Sequence, residues 1–200
     1  MSRVLPILFN TDMVHAIVDG RKTVTRRIIK PQPVYFPNDG FHWKGAAYGT
    51  DLPRTVKGAA HNFRCAAPYQ RGDILYVRET WCKSPFTDNY IYRADGEREL
   101  FSQSYDSEIM DDTVWTWKPS IHMPKEAARI FLKVKDVRVE RLQDIDDDGV
   151  VAEGLKIGDP FDELWDSTIK KADIDRYSWS ANPWVWVIEF EQCEKPEERK

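Results

Sequence analysis

Hydrophobic and polar residues alternate with a period of two in several parts of the chain, and this alternation predicts β-strands. The strand-like segments are residues 4–9, 74–81, 130–141 and 184–191. In the third segment the phase shifts near Lys135 and Asp136, as a β-bulge would produce. The pattern indicates a protein built on several strands, with helices in the segments between them.

Apolar residues at helical spacing predict a helix over residues 12–19, with Thr11 as its N-cap and Gly20 at its end. A second helix is predicted between Leu142 and Gly154, and a third opens at Asp159. Glycine suits both helix ends because it accepts a positive φ.

Asp146 is a good N-cap for the second predicted helix, because its carboxylate can accept a hydrogen bond from a first-turn amide. Glu153 falls in the last turn of the same helix. An acid at that end opposes the helix dipole. The misfit indicates that Glu153 has a purpose other than stabilising the helix.

Glu79 continues the apolar face formed by Leu75, Val77 and Trp81 in the strand-like segment 74–81. A carboxylate is costly to bury without a partner. We therefore expect Glu79 either to pair with a buried cation, such as Arg27, or to line a pocket.

The stretch from Arg21 to Lys30 contains five basic residues and no acid. From Val24 onward it has the β-branched composition of a strand, in which Thr25 and Arg27 would share one face. A hydroxyl and a guanidinium on one face suit an electron-rich planar group or a phosphate. The alternative is an edge strand whose charges are only solvated.

Residues 31–70 are rich in proline and glycine, and aromatic residues are scattered among them. Connections of this length usually serve as lids or binding loops. We interpret the segment as an insertion over a binding site, within a single domain that covers residues 1–200. The charged residues 194–200 are expected to form a frayed tail.

The net charge of −4 argues against bulk electrostatic binding of duplex DNA. The three cysteines show no Cys-x-x-Cys spacing, which favours a reducing, cytoplasmic location. His61 and Cys65 are four positions apart, but no second pair completes a zinc site, so neither a metal nor a cofactor is predicted. The sequence lacks a signal-peptide pattern and an apolar run of transmembrane length, so no membrane partner is expected.

Four blocks of the sequence form a recognisable set: Gly20-Arg21-Lys22-Thr23-x-Thr25-x-Arg27, Gly72-Asp73-x-Leu75-x-Val77, Leu142–Leu155 with its Glu153, and Trp186-Val187-Ile188-Glu189-Phe190. Taken together, they resemble the ASCH domain. The sequence around these blocks is similar to that of ASCH proteins encoded by bacteriophages and prophages. The resemblance implies an α+β fold with a PUA-like (ASCH) β-barrel, flanking helices and the long Pro/Gly-rich insertion.

The resemblance also implies an activity. Compact ASCH proteins include amidohydrolases that deacetylate N4-acetylcytidine with a lysine, a threonine and a glutamate, roles that fall here on Lys22, Thr25 and Glu153. On a regular strand Lys22 and Thr25 would point to opposite faces, so Lys22 is expected in the turn after Gly20. The residues expected to bind substrate are Arg21, Arg26, Arg27, Glu79, Trp81 and His122.

Other ASCH proteins bind or cut RNA, so the expected partner is RNA or a modified nucleoside. Amidohydrolysis is the sharpest hypothesis. The alternatives are a non-catalytic RNA-binding reader, a ribonuclease, and a phage assembly (morphogenetic) factor.

Overall fold

The structure, a computed structural model, describes residues 2–48, 55–84, 88–96 and 116–197. The chain is a mixed α+β protein, as the sequence predicts. It divides into two compact units, each assembled from separate stretches. Unit 1 contains Met1–Gly20, Ile74–Leu132 and Gln192–Lys200, and unit 2 contains Arg21–Asp73 and Lys133–Glu191.

The four predicted strand segments correspond to β1, β6, β9 and β10, and the insertion adds further strands. The strands are β1 (Val4–Leu8), β2 (Val24–Ile28), β3 (Val34–Phe36), β4 (Gly40–Trp43), β5 (Ala46–Tyr48), β6 (Ile74–Arg78), β7 (Trp81–Lys83), β8 (Tyr90–Tyr92), β9 (Phe131–Arg141) and β10 (Trp184–Cys193). The α-helices are α1 (Thr11–Val18), α2 (Val56–Phe63), α3 (Asp147–Ala152), α4 (Phe161–Ser167) and α5 (Ile174–Tyr177). Short 3₁₀ turns are Arg64–Ala66, Arg93–Asp95, Ser120–His122, Lys125–Ala127, Leu142–Asp144 and Lys171–Asp173.

The helix ends show which local signals were correct. Asp146 is the N-cap of α3, and its side chain accepts a hydrogen bond from the Gly149 amide at 2.8 Å. The N-cap of α1 is Asn10, so the choice of Thr11 was wrong by one position. Asn10 has the same kind of side-chain oxygen, which accepts from the Met13 amide at 2.8 Å. Gly20 follows α1 with φ of +73°, as its role requires.

Unit 1 contains a parallel strand pair and a β-hairpin. β1 pairs with β6 in parallel, in register from Val4 opposite Ile74 to Leu8 opposite Arg78. β7 and β8 pair antiparallel, with Trp81 opposite Tyr92. Parallel strands need a long connection, and here the chain passes through unit 2 between β1 and β6. A core cluster in unit 1 consists of Trp81, Met123, Ala127, Ala128 and Phe131.

In unit 2, strand β10 lies between β9 and β2. β2 and β10 are antiparallel, in register from Val24 opposite Glu189 to Ile28 opposite Val185. Burial along β9 follows the predicted phase shift, since Val134 is buried and the alternation resumes at Val137. A core cluster in this unit consists of Val24, Leu142, Phe161, Trp165, Val185 and Val187.

The insertion folds as an antiparallel sheet with strand order β3-β4-β5, followed by helix α2. Phe63 of α2 is fully buried, and its ring lies 5.0 Å from those of Phe41 and Trp186. Phe41 also meets Trp184 edge-on at 4.9 Å. The described part of the insertion is therefore joined to β10 through an aromatic cluster and shares the core of unit 2.

The strand pairings of the described residues do not close a barrel. The α+β class is confirmed, and the PUA-like barrel stays a prediction. Across the described ranges, no helix has both the length and the apolar character needed to span a bilayer. Residues 194–197 of the predicted tail form neither helix nor strand, and residues 198–200 lie outside the described residues.

Candidate functional site

The basic stretch enters unit 2 alongside the end of helix α3. Lys22 forms an isolated antiparallel β-bridge with Glu153. The Thr23 amide donates to the Ala152 carbonyl, and the Thr23 carbonyl accepts from the Phe190 amide, both at 2.9 Å. Backbone hydrogen bonds thus hold the residues before β2 against both α3 and β10. Lys22 precedes β2, as expected for a residue between Gly20 and the strand.

Lys22 is 2% exposed. Its ammonium contacts Oε2 of Glu153 and donates to the Glu153 carbonyl oxygen at 2.9 Å. Burial lowers the pKa of Lys22 because it disfavours the charged amine; Glu153 opposes this shift, and Arg27 and Arg26 reinforce it. The site therefore holds a lysine that loses its proton more readily than one in water.

Glu153 caps the C-terminus of α3, and its side chain is 7% exposed. While Lys22 occupies Oε2, Oε1 lies 3.3 Å from Nη1 of Arg26. Two cations from the basic stretch therefore share this carboxylate. The misfit noted at the helix terminus has its explanation here, since the acid serves a tertiary contact and not the helix.

The remaining arginines of the stretch differ in their surroundings. Arg21 is exposed, and its Nη1 donates to the Gly154 carbonyl at 2.7 Å. Arg27 is half-buried, and burial lowers its pKa, while electrostatic interactions with Tyr69 and Glu153 oppose that shift. Burial raises the pKa of Tyr69, while Arg27 opposes that rise. Tyr69, which interacts electrostatically with Arg27, was not among the residues predicted for the site.

Thr25 is 2% exposed and lies opposite Ile188 in the β2–β10 pair. Strand alternation places it on the same face of β2 as Arg27 and on the opposite face from Arg26. Among the described residues, the side-chain hydrogen bonds do not join Thr25 to Lys22 or Glu153. The structure thus brings together Lys22, Glu153 and Arg26, with Thr25 one position away from Arg26.

Three of the predicted substrate-binding residues, Glu79, Trp81 and His122, lie in unit 1. Glu79 is 1% exposed and forms a two-pronged ion pair with Arg129, with Nε to Oε1 at 2.9 Å and Nη2 to Oε2 at 3.0 Å. The expected buried ion pair exists, but its cation is Arg129 and not Arg27. Trp81 is buried in the core of this unit. His122 is exposed in a 3₁₀ turn.

Gly149 gives the site room on the α3 side. A methyl group at this position would lie 2.9 Å from Cγ1 of Ile145 and 3.1 Å from Nη2 of Arg26. Both distances are tighter than ordinary van der Waals contact. The absence of a side chain therefore allows the Arg26 guanidinium to lie beside the helix.

We expect Gly149→Ala to lower the free energy of unfolding by about 1–3 kcal/mol through overpacking. Alanine favours helix by up to about 1 kcal/mol over glycine, which offsets only part of this cost. Urea unfolding followed by circular dichroism measures the change. Val151→Ala, at an exposed position of the same helix, serves as the control and should change stability little. Equal or greater stability in Gly149→Ala would contradict the close packing.

Within the described ranges, no group of three or more His, Cys, Asp or Glu side chains is placed to hold a metal ion. Comparison with known proteins adds no assignment. No protein-family model matches the chain, and neither a curated protein nor a solved structure matches it.

Proposed function

We propose that the chain is an ASCH-type amidohydrolase that acts on an N-acylated nucleoside or RNA base, such as N4-acetylcytidine. Lys22 is the base, Thr25 the nucleophile and Glu153 the group that orients Lys22. The observation that carries the proposal is the buried Lys22 ammonium held by Glu153, three positions before Thr25. The resemblance to ASCH proteins supplies the substrate class.

A buried lysine contributes little to the stability of a fold. Removing an ammonium and a carboxylate from water costs several kcal/mol per ion before their attraction is counted, and apolar side chains could fill the same space. Perturbed lysines cluster at functional sites because a general base must give up its proton near the working pH. Burial lowers the pKa of Lys22 in the direction that catalysis needs.

The chemistry is an acyl transfer to water in two steps. Because no hydrogen bond within the described ranges joins the two side chains directly, the neutral Lys22 amine takes the proton of the Thr25 hydroxyl through one water, and the Thr25 oxygen attacks the acyl carbon. The amide C–N bond then breaks, and the departing exocyclic amine receives that proton. Water hydrolyses the resulting ester, which releases the carboxylic acid and restores Thr25. Overall, one amide and one water give one amine and one acid.

Arg27 and Tyr69 are the proposed contacts for the nucleobase of the substrate. The planar guanidinium of Arg27 can donate paired hydrogen bonds to a carbonyl-bearing ring or stack on it. An aromatic ring such as Tyr69 is suited to stacking on a nucleobase. We assign Arg21, which is exposed and donates to the Gly154 carbonyl beyond α3, to a phosphate or ribose. The substrate would come from cytoplasmic RNA or from nucleosides released from it.

A non-catalytic reader of modified RNA is the second candidate. It is favoured by the second hydrogen bond of Lys22, to the backbone carbonyl of Glu153, and by the β-bridge between the two residues. Both contacts would suit a lysine whose role is to hold the basic stretch against α3. Such a protein would bind an acylated nucleoside and leave it intact.

The test incubates the purified chain with N4-acetylcytidine and follows the products by mass spectrometry. We expect cytidine and acetate in equal amounts, with ¹⁸O entering the acetate when the reaction runs in H₂¹⁸O. N-acetylglycine, an amide that lacks a nucleobase, should remain intact. Intact N4-acetylcytidine at stoichiometric protein would contradict the hydrolase, and saturable binding in that sample would support the reader.

A further inference from the structure

Arg26 and Lys22 are the two buried cations of the basic stretch. The side chain of Arg26 is 2% exposed. Arg26 is one of the residues predicted to bind substrate. Its contacts inside unit 2 point to a different role.

The first of these contacts is with Glu153. Nη1 of Arg26 lies 3.3 Å from Oε1, while the Lys22 ammonium occupies Oε2. The two oxygens of one carboxylate are therefore held by two different cations. Arg26 is also a positive charge near the Lys22 ammonium, so its repulsion opposes the stabilisation that Glu153 gives to that ammonium.

The second contact anchors the guanidinium on its other side. Nη2 of Arg26 lies 3.6 Å from Oε2 of Glu140, and the same nitrogen is 3.1 Å from the position of a methyl group on Gly149. The guanidinium thus spans from β9 to α3. The carboxylates of Glu153 and Glu140 hold the guanidinium, and the lack of a side chain at Gly149 leaves space for it beside α3.

Arg26 also carries a cost. Its buried Nε has no hydrogen-bond partner within the described part of the chain. An unsatisfied buried donor is destabilising, and a well-packed apolar side chain would avoid that loss. A charged residue at this place therefore needs a reason other than stability.

We propose that Arg26 is a positioning residue, which holds Oε1 of Glu153 and so controls how strongly that carboxylate retains the Lys22 ammonium. The inference rests on the proposed function, in which the neutral amine of Lys22 is the base. Arg26 acts through Glu153 and does not touch the substrate.

The charges around Lys22 come from several elements of unit 2. β2 supplies Arg26 and Arg27, and the end of α3 supplies Glu153. Further groups act through these neighbours: Glu140 and Arg138 on β9, Glu189 on β10, Asp146 at the start of α3, and Tyr69 beside Arg27. The protonation equilibrium of Lys22 therefore depends on which cation contacts Glu153.

The test measures the titration of Lys22 directly, by NMR of protein labelled with ¹³C at the lysine ε-carbons. Arg26→Met and Arg26→Gln remove the charge. In both we expect the midpoint of the Lys22 signal to move to higher pH. Arg26→Lys keeps a cation and should restore much of the original midpoint. Arg176→Met, at an exposed position of the same unit, is the matched control and should leave the midpoint unchanged.

Kinetics supply the second readout. In the neutral Arg26 variants, we expect kcat at neutral pH to fall about tenfold, since less Lys22 is in the neutral form. KM should stay constant, and the lost rate should return at higher pH. A rise in KM with an unchanged pH profile would assign Arg26 to ligand binding and overturn the inference.

The NMR titration keeps this inference separate from the proposed function. If the wild-type chain hydrolyses no acylated nucleoside, the proposed function fails, yet the midpoint of Lys22 still tests Arg26. An unchanged midpoint in a folded neutral variant overturns the inference. Glu140→Gln removes the second carboxylate near the Arg26 guanidinium and keeps Arg26 itself unchanged. It frees Arg26 for Glu153 and should move the midpoint to lower pH; no movement would likewise overturn the inference.

Discussion

Replacement of Lys22 by methionine is expected to lower kcat for an acylated nucleoside by about 10³-fold, within the range for loss of a general base. The ammonium of Lys22 contacts Glu153 in a buried site, and no water-exposed amine can substitute for it there. The change is measured as initial rates of cytidine release by mass spectrometry. In the wild-type chain the rate should rise with pH as the Lys22 amine loses its proton.

Loss of Lys22 also leaves Glu153 with Arg26 as its remaining cation among the described contacts. Breaking a buried ion pair costs about 3–5 kcal/mol, so low activity has to be separated from unfolding. The double variant Lys22→Met/Glu153→Gln removes the stranded charge. It should regain stability in urea and remain inactive. Recovery of turnover in the double variant would contradict Lys22 as the base.

Thr25→Ala tests the nucleophile in the same assay. It should abolish turnover and leave binding of the acylated nucleoside largely intact, because the change removes one hydroxyl from a buried position. Full residual turnover would end the assignment of Thr25 as nucleophile. Water activated directly by Lys22 would then be the attacking group.

Replacement of Arg129 by methionine is expected to lower the free energy of unfolding at neutral pH by about 3–5 kcal/mol. Glu79 is 1% exposed, and Arg129 binds both of its oxygens. Arg129 also pairs with Asp95 and lies 4.0 Å from the centre of the Tyr92 ring, so packing is lost with the charge. Urea unfolding monitored by tryptophan fluorescence measures the loss.

The pH dependence of that loss has a definite sign. Burial raises the pKa of Glu79, and Arg129 opposes the rise. Without Arg129 the folded-state pKa rises further above the unfolded value of about 4.3. The protonated form is tolerated, so stability is retained at low pH and lost as pH rises through the folded-state pKa. The cost of Arg129→Met should therefore be larger near pH 7 than near pH 5.

The double variant Arg129→Met/Glu79→Gln provides the control, because it leaves no buried carboxylate at position 79. It should recover part of the stability and lose most of the pH dependence. A destabilisation that stays the same at both pH values would show that packing against Tyr92, and not the ion pair, dominates at this position.

Several features of this protein followed from local sequence alone. Alternation predicted the long strands, since the period of two depends only on neighbouring residues. Asp146 was predicted as an N-cap because capping involves an amide three positions away. The misplaced acid at Glu153 was visible because the helix dipole acts over a single turn. These signals place Glu153 at the end of its helix without any knowledge of the fold.

Other features depended on residues far apart in the chain. Glu79 was expected to need a cation, yet its partner proved to be Arg129, 50 positions away. The charge of a basic residue likewise does not reveal its burial: Arg21 is exposed and Arg26 is enclosed between Glu153 and Glu140. Spacing determines which face of an element a side chain occupies. Only the packing of one element on another decides what that face meets.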